Sequence, residues 1–103
     1  MAIVKQYSHD TKVCQVTFTL SKEFCENFME ISVVGEFNNW DYHQHKFSQR
    51  NADGSMSMEI VLDTGKEYQF RYLCDGVTWV NEPDADKQVP TPYGDSENSV
   101  III

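Results

Sequence analysis

The chain has 103 residues, of which 41% are hydrophobic and 23% charged, the balance of one ordinary globular domain. Sixteen acidic side chains stand against eight Lys and Arg, which gives a formal net charge of −8 at pH 7. Because nucleic acids and anionic membranes are bound mainly through Lys and Arg, this charge argues against both as partners. The binding partners that this charge still allows are a neutral ligand or another protein.

A single domain over residues 1–103 is expected, because no linker, internal repeat or low-complexity segment interrupts the chain. The sequence contains no run of about 18 apolar residues, so no membrane-spanning helix is predicted, and the N-terminus lacks the pattern of a signal peptide. Cys14, Cys25 and Cys74 are odd in number and have no C-x-x-C spacing, which predicts buried thiols in a reducing compartment. We therefore expect a cytoplasmic protein.

Alternation of apolar and polar residues predicts strands in the first half of the chain. Residues 13–20 have the period of two that is typical of a half-buried strand. A single helical turn is predicted after Ser21, whose hydroxyl can cap it. A second strand is predicted over residues 29–36, with Met29 on the same face as the other apolar residues. Residues 35–41 follow with a Gly and two Asn, which permit the positive φ of a tight bend.

The second half of the chain alternates in the same way between turn signals. Asp-Gly or similar turns at residues 51–54, 63–66 and 75–76 each predict a connection between antiparallel strands. The strands predicted around them cover residues 55–62, 68–74, 77–80 and 98–103. Residues 82–95 contain all three prolines and are predicted to lack strand pairing. About seven short strands with regular turn signals indicate an all-β fold, an antiparallel β-sandwich.

Two tryptophans are the first candidates for a binding site. Trp40 follows the Gly-Asn-Asn bend and Trp79 follows the Asp-Gly turn, so both lie at the ends of elements, where side chains often protrude. An exposed indole offers a flat apolar surface that suits the C–H face of a sugar ring. The alternative is that each tryptophan fills one end of the core, as most tryptophans are largely buried.

Arg71 is the third candidate. It is predicted on the polar face of the strand at 68–74, where its guanidinium presents five N–H donors to hydroxyl oxygens. The alternative is a cross-strand ion pair with one of the carboxylates.

Neither a metal centre nor a catalytic set is predicted. Asp41, His43 and His45 have a ligand-like spacing, but a zinc site needs a fourth ligand or a water held in the right geometry. The acidic residues at 82–86 lack the Gly and Glu of a calcium loop. No nucleophile motif, phosphate loop or paired catalytic carboxylates are recognisable, so we expect a non-enzymatic domain without a cofactor.

Several motifs together resemble one family. They are Val-Gly-Glu-Phe-Asn-Asn-Trp at 34–40, the stretch from Tyr68 to Trp79, Glu-Pro-Asp-Ala at 82–85, Gly94 and Asn-Ser-Val at 98–100. In this order they resemble the family 48 carbohydrate-binding module, also called the isoamylase N-terminal domain. That family includes the glycogen-binding domain of the AMP-activated protein kinase beta subunit. The resemblance implies an immunoglobulin-like β-sandwich that binds α-1,4-glucans such as glycogen or starch.

The resemblance also implies roles for five residues. Trp40 and Trp79 match the tryptophans that stack on glucose in glycogen-binding members. Arg71 stands where those members have a Lys that binds sugar hydroxyls, and Asn98 matches an Asn that contacts the sugar. Tyr93 matches an apolar residue that inserts into the glucan.

Two functions are compatible with the resemblance. The first is non-catalytic binding of α-1,4-glucan on a platform of two tryptophans, with polar contacts at its edge. The second is a protein-interaction or accessory role, in which the domain packs against an α-glucan-active enzyme and binds no sugar itself. Exposure of both indoles on one side favours the first, and burial or separation of the indoles favours the second.

Overall fold

The structure is a computed structural model that describes residues 1–91 and 96–103. The strands in this part of the chain are β1 (Ala2–Tyr7), β2 (Val13–Leu20), β3 (Ile31–Gly35), β4 (Gln49–Arg50), β5 (Met56–Asp63), β6 (Glu67–Cys74), β7 (Thr78–Val80), β8 (Lys87–Pro90) and β9 (Glu97–Ile102). They form two antiparallel sheets, with orders β1-β2-β5-β4 and β3-β6-β9-β8, and β7 pairs with one end of β6. Helix α1 covers Lys22–Cys25, and a 3-10 helix covers Glu36–Asn38.

The predicted β-sandwich is confirmed, and its core lies between the two sheets. Alternate residues of β2 are fully buried, as the period of two requires. Phe18 of β2 meets Phe70 of β6 edge to face, with ring centroids 5.4 Å apart, which joins one sheet to the other. The three cysteines are free and buried, as predicted. Burial raises the pKa of the Cys74 thiol to about 11.

The short helix and the tight turns also follow the predictions. The Ser21 hydroxyl accepts a hydrogen bond from the Phe24 N–H at 3.2 Å, which caps α1. Gly54, Gly65 and Gly76 all have positive φ in the predicted turns. No helix among the described residues is long and apolar enough to cross a membrane.

The prediction for Met29 was wrong. Its side chain is fully exposed, and β3 begins only at Ile31. The Asp75 carboxylate accepts hydrogen bonds from the N–H groups of Met29 and Glu30, each at 2.9 Å. These two residues are therefore held against the turn at 75–76 and do not belong to the strand. Residues 45–47 pair with the outer edge of β3. All five residues of this strand are buried, so its sequence does not alternate.

The prediction that residues 82–95 lack strand pairing was also wrong. Lys87–Pro90 forms β8, which pairs with β9 at the edge of its sheet. Pro90 is the last residue of this edge strand. Proline has no N–H to donate, and it is tolerated where that N–H would face the open edge of the sheet. A second unpredicted strand is β1, which pairs with β2 along its whole length as the edge of the other sheet.

A buried carboxylate fixes the segment before β8 to the core. Glu82 has no exposed surface, and the Tyr72 hydroxyl donates to its Oε1 at 2.8 Å while the Asp84 N–H donates to its Oε2 at 3.0 Å. The backbone N–H of Glu82 also donates to the Ser99 hydroxyl on β9 at 2.9 Å. Burial, together with the charge of Glu82, raises the pKa of Tyr72 well above its usual value. The tyrosine therefore stays a donor at any ordinary pH.

Replacing Tyr72 with Phe is expected to lower the free energy of unfolding by about 1–3 kcal/mol, because Glu82 then keeps a buried oxygen without its donor. Tyr68→Phe is the matched control on the same face of β6. The hydroxyl of Tyr68 donates to the Asp63 carbonyl at 2.9 Å at the surface, where water can replace it. Urea unfolding of both variants tests this difference, and equal losses would contradict it.

Candidate functional site

A cleft of about 630 Å³ opens on the outer face of the β3-β6-β9-β8 sheet. Its volume lies in the range of small-ligand sites. Residues Gln69 and Arg71 of β6 form part of it, since the alternate residues Phe70 and Tyr72 face the core. The described residues that line the cleft are Glu36, Trp40, Gln69, Arg71, Trp79, Thr91, Ser96 and Asn98.

Trp40 reaches the cleft because the backbone before it turns sharply. Asn39 and Trp40 both have left-handed φ, at 54° and 60°, and the Trp40 N–H donates to the Gly35 carbonyl at 2.9 Å. This conformation costs a residue with a bulky side chain about 1–2 kcal/mol. Such strain is typical of residues whose position serves a binding site. The Trp40 side chain is 39% exposed, so it does not fill the end of the core.

The buried amide of Asn38 holds this turn. Its Oδ1 accepts the Gly35 N–H at 3.0 Å, and its Nδ2 donates to the Val33 carbonyl at 3.1 Å. The same Nδ2 lies 2.9 Å from Nδ1 of His45. Since the amide nitrogen is a donor, His45 Nδ1 must accept, and the imidazole is neutral. Burial lowers the pKa of His45, which favours the same form.

Trp79 comes to the cleft from the other side. It lies on β7, where it pairs with Leu73 of β6, after the turn in which Asp75 and Gly76 take left-handed φ. Its side chain is 49% exposed. The two tryptophans are therefore both exposed and line the same cleft, although 38 residues separate them in the chain.

Arg71, Asn98 and Gln69 form one chain of hydrogen bonds along the cleft. Arg71 Nε donates to Asn98 Oδ1 at 2.6 Å, and Asn98 Nδ2 donates to Gln69 Oε1 at 2.9 Å. Within residues 1–91 and 96–103, no carboxylate lies at ion-pair distance from Arg71, which removes the ion-pair alternative for this part of the chain. The remaining guanidinium N–H groups and the Gln69 amide N–H groups are donors without a protein partner among these residues.

The site prediction missed four residues that line the cleft, namely Glu36, Gln69, Thr91 and Ser96. The Glu36 carboxylate accepts the backbone N–H of Gln69 at 2.7 Å, and both side chains line the cleft. The alternation of β6 already places Gln69 on the same face as Arg71, so this signal was available in the sequence. Glu36 gave no comparable signal, because it lies on the 3-10 helix that interrupts the alternation.

Two further predictions concern other positions. Tyr93 lies outside the residues that the structure describes. Of the ligand-like triplet, Asp41 accepts the backbone N–H of His43 at 2.9 Å, while Nδ1 of His45 is engaged by Asn38. The described part of the chain contains no group of three or more His, Cys, Asp or Glu arranged to hold a metal ion.

The neutral His45 predicts a pH dependence of stability. Because its pKa is lowered in the folded protein, the unfolded chain binds a proton at a higher pH than the folded chain does. The stability that His45 contributes is complete above its usual pKa of about 6.5 and is lost as the pH falls below that value. His45→Gln keeps an acceptor for Asn38 but does not titrate.

The melting temperature of the wild type is therefore expected to fall more steeply than that of His45→Gln between pH 7.5 and pH 5. Differential scanning fluorimetry of the two proteins in parallel measures this. Parallel curves over that interval would contradict the neutral-histidine account.

Comparison with known proteins gives short matches. Over 46 residues, 45% of this chain, it is 39% identical to a 1,4-alpha-glucan-branching enzyme of Debaryomyces hansenii. Over 41 residues, 39% of the chain, it is 44% identical to the 1,4-alpha-glucan branching enzyme GlgB of Bacillus cereus. In each case the match spans 6% of the enzyme's length. No protein-family model matches the chain.

Proposed function

We propose that this domain binds α-1,4-glucans without catalysing a reaction, as a family 48 carbohydrate-binding module does. Trp40 and Trp79 provide the apolar platform for glucose rings, and Arg71, Gln69 and Asn98 provide hydrogen bonds to hydroxyls at its edge. The observation that carries the proposal is the meeting, in one cleft, of two half-exposed indoles and a row of polar side chains with donors that no other described residue uses. The short similarity to parts of glucan-branching enzymes points to the same ligand class.

The chemistry of the cleft suits a neutral polyhydroxylated ligand. An indole covers the C–H face of a pyranose, and planar amide and guanidinium donors meet the hydroxyls around the ring. Among the described lining residues, Arg71 and Glu36 contribute one charge of each sign, so a charged ligand gains little from them. The net charge of −8 also disfavours a polyanion.

The affinity of such a site is modest. Each hydrogen bond to a sugar hydroxyl replaces one to water and contributes only about 1 kcal/mol. An open cleft leaves much of the ligand in solvent, so a Kd of about 0.1–1 mM is expected. Binding should change little with ionic strength, because the ligand carries no charge.

Trp40→Ala and Trp79→Ala are each expected to weaken binding of maltoheptaose and β-cyclodextrin about tenfold or more, through loss of one stacking surface. Intrinsic fluorescence reports the titration, since each variant keeps the other tryptophan. Tyr42→Ala is the matched control: Tyr42 is 39% exposed, as Trp40 is, yet it does not line the cleft.

A β-1,4-linked oligosaccharide, cellohexaose, is the control ligand and should bind more weakly than maltoheptaose. If maltoheptaose gives no saturable change up to about 10 mM with a folded wild-type protein, where binding would be weaker than about −2.7 kcal/mol, glucan binding is rejected.

The hydrogen bond between Arg71 and Asn98 predicts coupled effects on affinity. Asn98→Ala leaves both the Arg71 guanidinium and the Gln69 amide without the partner that orients them, so a two- to fivefold weaker Kd, about 0.4–1 kcal/mol, is expected. In the Arg71→Met background the same change should have a smaller effect. Isothermal titration of the four proteins with maltoheptaose measures the cycle, and strictly additive losses would show that Asn98 acts without Arg71.

The second candidate function is an accessory domain of an α-glucan-active enzyme. The observation in its favour is that the matched sequences are branching enzymes, of which the match spans only a small part. In that role the exposed indoles would contact a protein surface. Failure of every glucan to bind, together with a change in the tryptophan fluorescence on adding a branching enzyme that lacks its own N-terminal segment, would favour this candidate.

A further inference from the structure

A second groove continues the cleft along the same sheet. It has a volume of about 280 Å³ and is lined by Glu36, Glu67, Gln69, Lys87, Val89 and Val100. Glu36 and Gln69 line both cavities, so the groove begins where the cleft ends.

Strand register places the two cavities in line along β6. Trp79 pairs with Leu73 at one end, and outward-facing residues follow at every second position from Arg71 through Gln69 to Glu67. At about 3.4 Å per residue, the distance from Leu73 to Glu67 is about 20 Å. Across the strands, Gln69 and Lys87 both pair with Val100, so these three residues form one row. The cleft and the groove therefore adjoin on the outer face of one sheet.

The groove repeats the chemistry of the cleft in another form. Val89 provides apolar surface, while Val100, which also lines the groove, is almost fully buried. Lys87 and Glu67 form an ion pair at 2.6 Å above it, and their side chains remain 47% and 51% exposed. The paired ammonium keeps further N–H donors, and the carboxylate keeps acceptor positions. Donors and acceptors beside an apolar surface match the alternation of hydroxyls and C–H groups on a sugar ring.

We infer that this groove is an additional subsite, which binds further glucose units of the same α-glucan chain held in the cleft. The inference rests on the proposed function, because the occupant is the continuation of the ligand bound by Trp40 and Trp79. Lys87 and Glu67 contact the extended part of the chain, so a short oligosaccharide bound at the tryptophans does not reach them.

The test compares maltotriose with maltoheptaose by isothermal titration. Longer chains also offer more registers on a single site, so chain length alone does not identify a subsite. Lys87→Met is therefore expected to weaken maltoheptaose binding about two- to tenfold and to leave maltotriose binding within about twofold. Glu67→Gln, which keeps the shape of the groove, should act in the same direction.

Lys46→Met is the matched control. Lys46 forms a comparable exposed ion pair with Glu30, at 2.9 Å, and lines neither cavity. Equal maltoheptaose affinities for the wild type and the Lys87 and Glu67 variants would overturn the subsite while leaving the tryptophan site standing. Absence of binding by both oligosaccharides to the wild type would overturn the proposed function and the subsite together.

Discussion

The pairing of β6 with three other strands is the constraint on which the rest of the structure depends. β6 pairs with β3, β7 and β9, and each of these brings one part of the cleft to it. The turn after β3 presents Trp40, β7 presents Trp79, and β9 presents Asn98 beside Arg71. The register between β6 and its neighbours is fixed because one face of β6 must be buried. The core residues of β6 therefore also determine where the site residues between them lie.

The position of Trp40 depends on two local features of the β3 end. A Cβ on Gly35 would lie 2.5 Å from the Gln69 carbonyl oxygen, so only glycine lets β3 approach β6 this closely. The Asn38 amide then satisfies the backbone groups that the turn leaves unpaired. Together they hold Trp40 in a left-handed conformation that an isolated peptide would rarely adopt. The backbone that carries the indole is thus fixed in the free protein, and under the proposed function this would lower the entropy lost on binding.

The polar side of the cleft follows a different rule. Arg71, Asn98 and Gln69 use only part of their hydrogen-bonding capacity on one another, which fixes their orientation and leaves donors for a ligand. If every donor in this network were already used, none would remain for a ligand. If the three side chains did not bond to one another, they would lose more conformational entropy on binding. Half-satisfied groups are tolerated here because the cleft is open to water.

Much of the fold could be predicted from the sequence, and the limits have physical causes. Alternation identified β2, β5 and β6 because one face of each is buried and the other is not. The edge strands β1 and β8 gave weak signals, since few of their residues reach the core. Met29 was misplaced because a hydrogen bond to Asp75, distant in the chain, decides where β3 begins.

The candidate site was predictable to the extent that turn chemistry is local. Gly, Asn and Asp residues predict the bend before Trp40 and the turn before Trp79, and the indole that follows each of them is exposed. Two features depend on strand register, which no local pattern specifies. One is the hydrogen bond from Arg71 to Asn98, and the other is the continuation of the groove past Gln69 to Lys87.

The most direct test of the account is a titration with maltoheptaose followed in ¹H–¹⁵N correlation spectra. The chain has two tryptophans, so two indole N–H signals report the platform without interference. If both indoles stack on one glucan, the signals of Trp40 and Trp79 shift together and saturate with one common Kd. If neither moves, or if one moves while the other stays fixed at saturation, the two indoles do not form one glucan-binding platform.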